Sequence, residues 1–328
     1  MTYSSGGLIQ AADYNGFVST NVGANLNAVL NTAYGQTALS TVSTGGTVSA
    51  TNWASLVNST ASMGAHTNTA ITARTAPTTG ATINVLAAVN TDLTNIFNNR
   101  YNAVSVGSQY TAWTGTNSKT SQTGSSGGGN WTITFTNVVT WTSSAAANYF
   151  FNAGGLIKID VSKTATGLTG DPEWNDLATT LCGDIYVSGL ATSHTIAGVA
   201  YTGTTKIGGT GAPNTLSTGT GWDALVAGAA ATIVYKQFSD TAPYTSNFIQ
   251  HTLSKNGAST ALTITTTWVA VDGPNVPPVG GTDPISGGTA AVGATPGTAP
   301  CTIVTYFPPE TTNLSNTWGT PTVTASVV

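Results

Sequence analysis

The hydrophobic period of this chain changes once along its length, and that change limits the folds open to it. Up to about residue 104, apolar side chains recur at helical spacing: Phe17, Val22, Leu26, Val29 and Leu30, then Trp53, Leu56, Val57 and Met63, then Leu86, Val89, Leu93, Ile96 and Phe97. From Trp131 the period is two. Trp131, Ile133 and Phe135 alternate with Thr132, Thr134 and Thr136, as in a strand with one face buried. The expected fold is therefore mainly β: a small N-terminal helical region over 1–104, a Gly/Ser/Thr-rich linker or hairpin over 105–130, and an antiparallel β-sandwich body over 131–328.

The helical region carries an approximate internal repeat. Ile9 to Val18 (IQAADYNGFV) aligns without gaps on Val48 to Val57 (VSATNWASLV), with apolar, small, polar and aromatic positions in register. Asp13 is a cap candidate in the first copy, and Ser49 or Thr51 in the second. Two or three such helices are too few for a solenoid. They suit a small helical layer or a bundle assembled between subunits, with Tyr14, Phe17, Trp53, Leu56, Leu93 and Phe97 as candidate interface residues.

The two halves meet at Tyr149 to Val161. Gly154-Gly155 suits a bulge or tight bend, because glycine adopts positive φ without a Cβ penalty. Ile157, Ile159 and Val161 then face one way, and Lys158 and Asp160 the other. Asp171-Pro172 marks a turn, and a short helix over Glu173 to Leu181 places Trp174 and Leu177 on one side. Further strands are expected over 184–188, 195–201, 232–238, 247–254, 262–271, 303–307 and 322–328. Asn256-Gly257 suits a two-residue hairpin turn. Residues 273–300 hold Pro and Gly so densely that a long loop is expected.

Three stretches resemble virion structural proteins of tailed bacteriophages, of the tail fibre or appendage type. They are Tyr149 to Ser162 (YFFNAGGLIKIDVS), Trp174 to Leu177 (WNDL) and Leu314 to Pro321 (LSNTWGTP). The resemblance implies a structural part of a particle, in a tail, neck or collar, whose partners are copies of itself and other virion proteins and, as a further option, a host surface glycan. It implies no catalytic residues and no cofactor. The chain departs from a plain fibre in lacking a long heptad or collagen-like shaft.

Composition points the same way. Charged residues make up 6% of the chain, eight Lys+Arg against twelve Asp+Glu, where soluble domains average about 25%. A surface of hydroxyls, amides and backbone packs against copies of itself with few charges to desolvate. No basic cluster suits a nucleic-acid backbone, and no apolar run suits a membrane span. The first residues lack the basic and apolar regions of a signal peptide, so synthesis in the host cytoplasm and residence in the virion are expected. Cys182 and Cys301 cannot form a metal site alone; buried thiols are the ordinary reading and a mutual disulfide the alternative.

The one local concentration of acid is Asp160, Asp171, Glu173, Asp176 and Asp184. Two carboxylates across a glycosidic bond could hydrolyse a glycan, and several could hold Ca²⁺. Turn and capping roles are the ordinary reading of Asp171 and Asp176. His66, His194 and His251 stand in no metal-ligand spacing, and no nucleophile elbow or phosphate loop is present. Trp113, Trp131, Trp141, Trp222, Trp268 and Trp318 could stack on sugars, but strand aromatics ordinarily fill a core. The reading is thus a non-enzymatic virion component; the alternative is a glycan-active or receptor-binding tail protein using the Asp171/Glu173/Asp176 region.

Overall fold

The computed structural model describes residues 10–21, 23–80, 88–108, 131–163, 171–271 and 301–328. The expected 273–300 loop, most of the 105–130 linker, Trp113, and Ile83 and Leu86 lie outside them, as do the side chains of Trp131, Asp171 and Cys301.

Helix α1 (Ala11–Asn15) runs on as a π-helical turn over Gly16–Thr20, and a second π-helical segment covers Ala28–Ala33. Helices α2 (Ala50–His66) and α3 (Val89–Asn98) follow. The repeat is real at its starts. Ser49 caps α2, with its Oγ accepting from Asn52 N at 3.2 Å while Asn52 Oδ1 accepts from Ser49 N at 2.9 Å. At the aligned positions, Asp13 Oδ2 accepts from Gln10 N at 3.0 Å. Asp13 is thus the third residue of a reciprocal cap, not the cap itself. The aligned aromatics Tyr14 and Trp53 pack edge to face at 5.5 Å.

β1 (Trp131–Thr140) leads into α4 (Ser144–Asn152), capped by Ser143. β2 (Leu156–Ser162) follows, then α5 (Asp171–Asp176), which continues as a π-helical segment over Leu177–Cys182. The remaining strands are β3 (Asp184–Val187), β4 (His194–Ile196), β5 (Val199–Tyr201), β6 (Thr204–Ile207), β7 (Thr215–Leu216), β8 (Thr232–Phe238), β9 (Phe248–Lys255), β10 (Ala261–Ala270), β11 (Cys301–Phe307) and β12 (Thr322–Val327).

The strands form a six-stranded sheet, β12-β1-β10-β9-β8-β7, a four-stranded sheet, β11-β2-β3-β6, and the β4-β5 hairpin. All strand pairs are antiparallel. The fold is mainly β with helices, as expected. Both sheets feed one hydrophobic cluster, and the Leu177–Cys182 segment touches β2 of one sheet and β8 and β9 of the other. The N-terminal helices belong to the same cluster, which runs from Tyr14 to Val323.

Two expectations are corrected. The β9–β10 connection is not a two-residue turn: Lys255 pairs with Leu262, and Asn256 Oδ1 accepts from Thr260 N at 2.8 Å and Ala261 N at 3.0 Å. The Asn side chain organises a longer loop by binding backbone ahead of it. The single strand expected over 195–201 is a tight hairpin, with Ala197 and Gly198 both at positive φ.

At the 149–161 junction, α4 ends in a helix-terminating motif. Gly154 N donates to Phe151 O at 3.1 Å, Gly155 N donates to Phe150 O at 2.8 Å, and Gly154 has φ +93°. A Cβ on Gly155 would lie 2.5 Å from the Phe150 ring and 2.6 Å from Phe150 O. The glycine pair lets β2 start directly against the ring of the helix that precedes it.

Candidate functional site

The acidic residues separate into two groups. In the first, β2 and β3 alternate so that Ile157, Ile159, Val161, Ile185 and Val187 enter the core while Lys158, Asp160, Asp184 and Tyr186 share the other face. Lys158 Nζ lies 2.8 Å from Asp184 Oδ2 and 3.7 Å from Asp160 Oδ2. Burial, then the charge of Asp184, raises the Asp160 carboxyl above its usual range despite Lys158. For Lys158, burial acts downward but the bond and charge of Asp184 prevail and raise it. One ammonium shared by two carboxylates is an electrostatic tie between strands.

In the second group, Glu173 is buried on the inner side of α5, with Asn247 Nδ2 3.4 Å from its Oε1. Asp176 is half-buried at the start of the π-helical segment. The fold does not present Glu173 to solvent, where a substrate carboxylate pair has to stand. Among the described residues, no group of three or more His, Cys, Asp or Glu side chains could hold a metal ion.

The candidate interface residues are occupied within the chain. Tyr14, Phe17, Trp53, Leu56 and Leu93 are buried in the chain's own core, and half-buried Phe97 packs against it under the Arg100 guanidinium. An interface made from the buried five would require that core to open. Trp141, Trp222, Trp268 and Trp318 are buried too. Trp141 and Trp222 join Phe150 and Phe151 in one aromatic cluster, where Phe151 and Trp222 stack at 5.2 Å. None of these four offers a face to a sugar. Cys182 is a buried free thiol, pushed up to about 12 by burial.

No protein-family model, curated protein or solved structure matches this chain.

A dense polar construction among the described residues is one that sequence spacing gave no means to find. Residues 310–319 fasten the N-terminal helices to the body. His66 Nδ1, at the end of α2, donates to Glu310 Oε1 at 2.9 Å, and both side chains are buried. Glu310 also accepts from Thr312 N at 2.5 Å, Asn313 N at 2.9 Å and Asn313 Nδ2 at 3.2 Å. Burial acts to raise this carboxyl, but His66 and the Asn313 donors outweigh it and hold it at about 2. Ser62 Oγ donates to Asn313 O at 2.7 Å, and Thr317 Oγ1 to Tyr34 O at 2.5 Å. Gln36 uses both ends of its amide, donating to Ser315 O at 2.8 Å and accepting from Ser315 N at 2.9 Å. The LSNTWGTP stretch is therefore part of a latch, with Leu314 and Trp318 driven into the core.

Asn15 and Asn27 repeat the Gln36 device. Each brackets one residue of the 35–49 connection: Asn15 holds Val42 N and O at 2.8 Å, and Asn27 holds Leu39 N and O at 2.9 Å. A side-chain amide has the same donor and acceptor as a peptide unit, so it can stand in for a neighbouring strand. An open cleft of about 510 Å³ beside α1, lined by Gln10, Ala11, Ala12, Asn15, Thr20, Thr44, Gly45 and Gly46, contains no charged side chain.

Proposed function

We infer that this chain is a non-enzymatic structural component of a tailed-phage virion, a tail fibre or a neck or collar appendage, acting through self-assembly and attachment to other virion proteins. The observation that carries this reading is where the chemically capable side chains sit. Glu173, four tryptophans and the His66–Glu310 pair lie inside the core, and Glu173, Trp222 and His66 meet side-chain partners of this same chain there. The outer face of the β12-β1-β10 part of the six-stranded sheet is largely hydroxyls, with half-buried Thr134, Thr136, Thr263, Thr265 and Thr267 on β1 and β10 and exposed Thr322, Thr324 and Ser326 on β12.

Such a surface suits repeated contact between copies, where many weak contacts sum by avidity. The latch ties the N-terminal helices to the segment between β11 and β12 by buried and partly buried hydrogen bonds, which suits a part that transmits load. Among the described residues, no helix is long and apolar enough to cross a membrane. The test is a hydrolysis assay on host surface polysaccharide with the intact chain beside Glu173→Gln. The structural reading expects no released sugar from either; release by the intact chain that the substitution abolishes would replace it with the glycan-active reading.

A further inference from the structure

The two large sheets end in four edge strands, and one differs from the others. β7 is two residues long and lies between Pro213 and Gly219. β6 carries Lys206 and stops at Gly208-Gly209. β11 is buried along Thr302, Val304, Thr305 and Tyr306. Short length, an edge lysine and burial are the usual protections against strand-to-strand association. β12 has none of them. Its sequence, Thr322-Val323-Thr324-Ala325-Ser326-Val327, contains no charge, proline or glycine, and Thr322, Thr324 and Ser326 are exposed.

The pairing register shows which backbone groups are available. Val328 and Thr134 exchange both N–H···O bonds, at 3.0 and 2.9 Å. In an antiparallel ladder, bonded and non-bonded pairs alternate. Ser326, Thr324 and Thr322 therefore aim their backbone groups at β1, opposite Thr136, Val138 and Thr140. Val327, Ala325 and Val323 aim theirs outward, where no described strand pairs with them.

The geometry points to β12 as a self-pairing edge that takes β12 of a second copy of this chain, antiparallel across a two-fold axis at Ala325. In that register Ala325 meets Ala325 of the partner copy, and Val323 meets Val327. Backbone N–H and C=O groups match at each, and the two six-stranded sheets become continuous. The segment is its own complement: it brings no like charges together, and β-branched residues face each other across the dyad. Neighbouring β1 and β10 are also free of charge. The pairing deepens the self-assembly reading above and rests on it for the choice of partner.

The test is the solution mass of the full chain, by light scattering, for the intact protein, Ala325→Pro and Thr324→Lys/Ser326→Lys. Proline at 325 removes an outward N–H and leaves the β1 bonds in place. The lysines replace exposed side chains and set like charges opposite one another across the dyad, so this variant decides the matter if the proline variant fails to fold. The expected result is a dimer or dimer-based assembly for the intact chain and monomer for the lysine variant, with unchanged circular dichroism. Ala325→Cys should in addition form a covalent dimer on oxidation, because the paired Cα atoms would stand about 5.5 Å apart. An assembly whose mass neither variant changes overturns the β12 edge while leaving self-assembly standing. An intact chain that stays monomeric overturns both.

Discussion

Glu310 ties the two ends of the chain together. It meets His66 across 244 residues of sequence and collects two backbone N–H groups of its own turn. Its folded pKa of about 2 lies below the ordinary 4.5, so its contribution is complete above pH about 4.5 and is lost as pH falls toward 2. Glu310→Gln should cost about 1–3 kcal/mol, because the new amide N–H₂ faces donors instead of accepting from them. Urea unfolding at pH 7 checks it. His251 acts earlier in an acid titration. It is buried against Tyr235 and Thr266, and burial takes its pKa to about 3. A lowered histidine pKa favours the folded state above pH 6.5 and loses that contribution on acidification. Melting temperature should therefore begin to fall below pH about 6.5 and fall faster below about 4.5; burial lowers the pKa of His194 as well, so His251→Gln should shrink the first part and leave the second.

Among the elements, those with a clean period were legible and those made by side-chain clamps were not. β1 and β10 follow from alternation of apolar and hydroxyl residues, β2 and β9 from alternation of buried and polar ones, β8 from a β-branched and aromatic run that a bulge interrupts, and α2 from its stripe and its Ser49 cap. α4 is masked by small alanines at Ala145, Ala146 and Ala147, which carry little periodic signal. β6 and β7 are short pieces among glycines. The 35–49 connection has no period because Asn15 and Asn27 hold it from outside. Asn15→Ala should remove hydrogen-exchange protection at Val42, and Asn27→Ala at Leu39, with little change elsewhere, each costing about 1–2 kcal/mol. At the α4–β2 junction, Gly155→Ala should destabilise by about 1–3 kcal/mol, since the added Cβ meets a backbone carbonyl as well as the Phe150 ring. Chemical denaturation checks it.

At the scale of the whole molecule, the boundary expected near residue 104 has no counterpart in the core, which is shared from Tyr14 to Val323. The apolar helix faces that suggested an interface between subunits are filled by the chain's own residues. Sequence period shows that a face is apolar; it carries no information on whether the covering surface belongs to the same chain. Contacts such as His66–Glu310 and Gln36–Ser315 are likewise invisible in spacing, because they join opposite ends of the chain. What remains for association is the charge-poor exterior and the β12 edge. Light scattering with negative-stain imaging of the purified chain tests the structural reading most directly. The account predicts a discrete closed assembly of identical copies; a compact monomer at every concentration would contradict it.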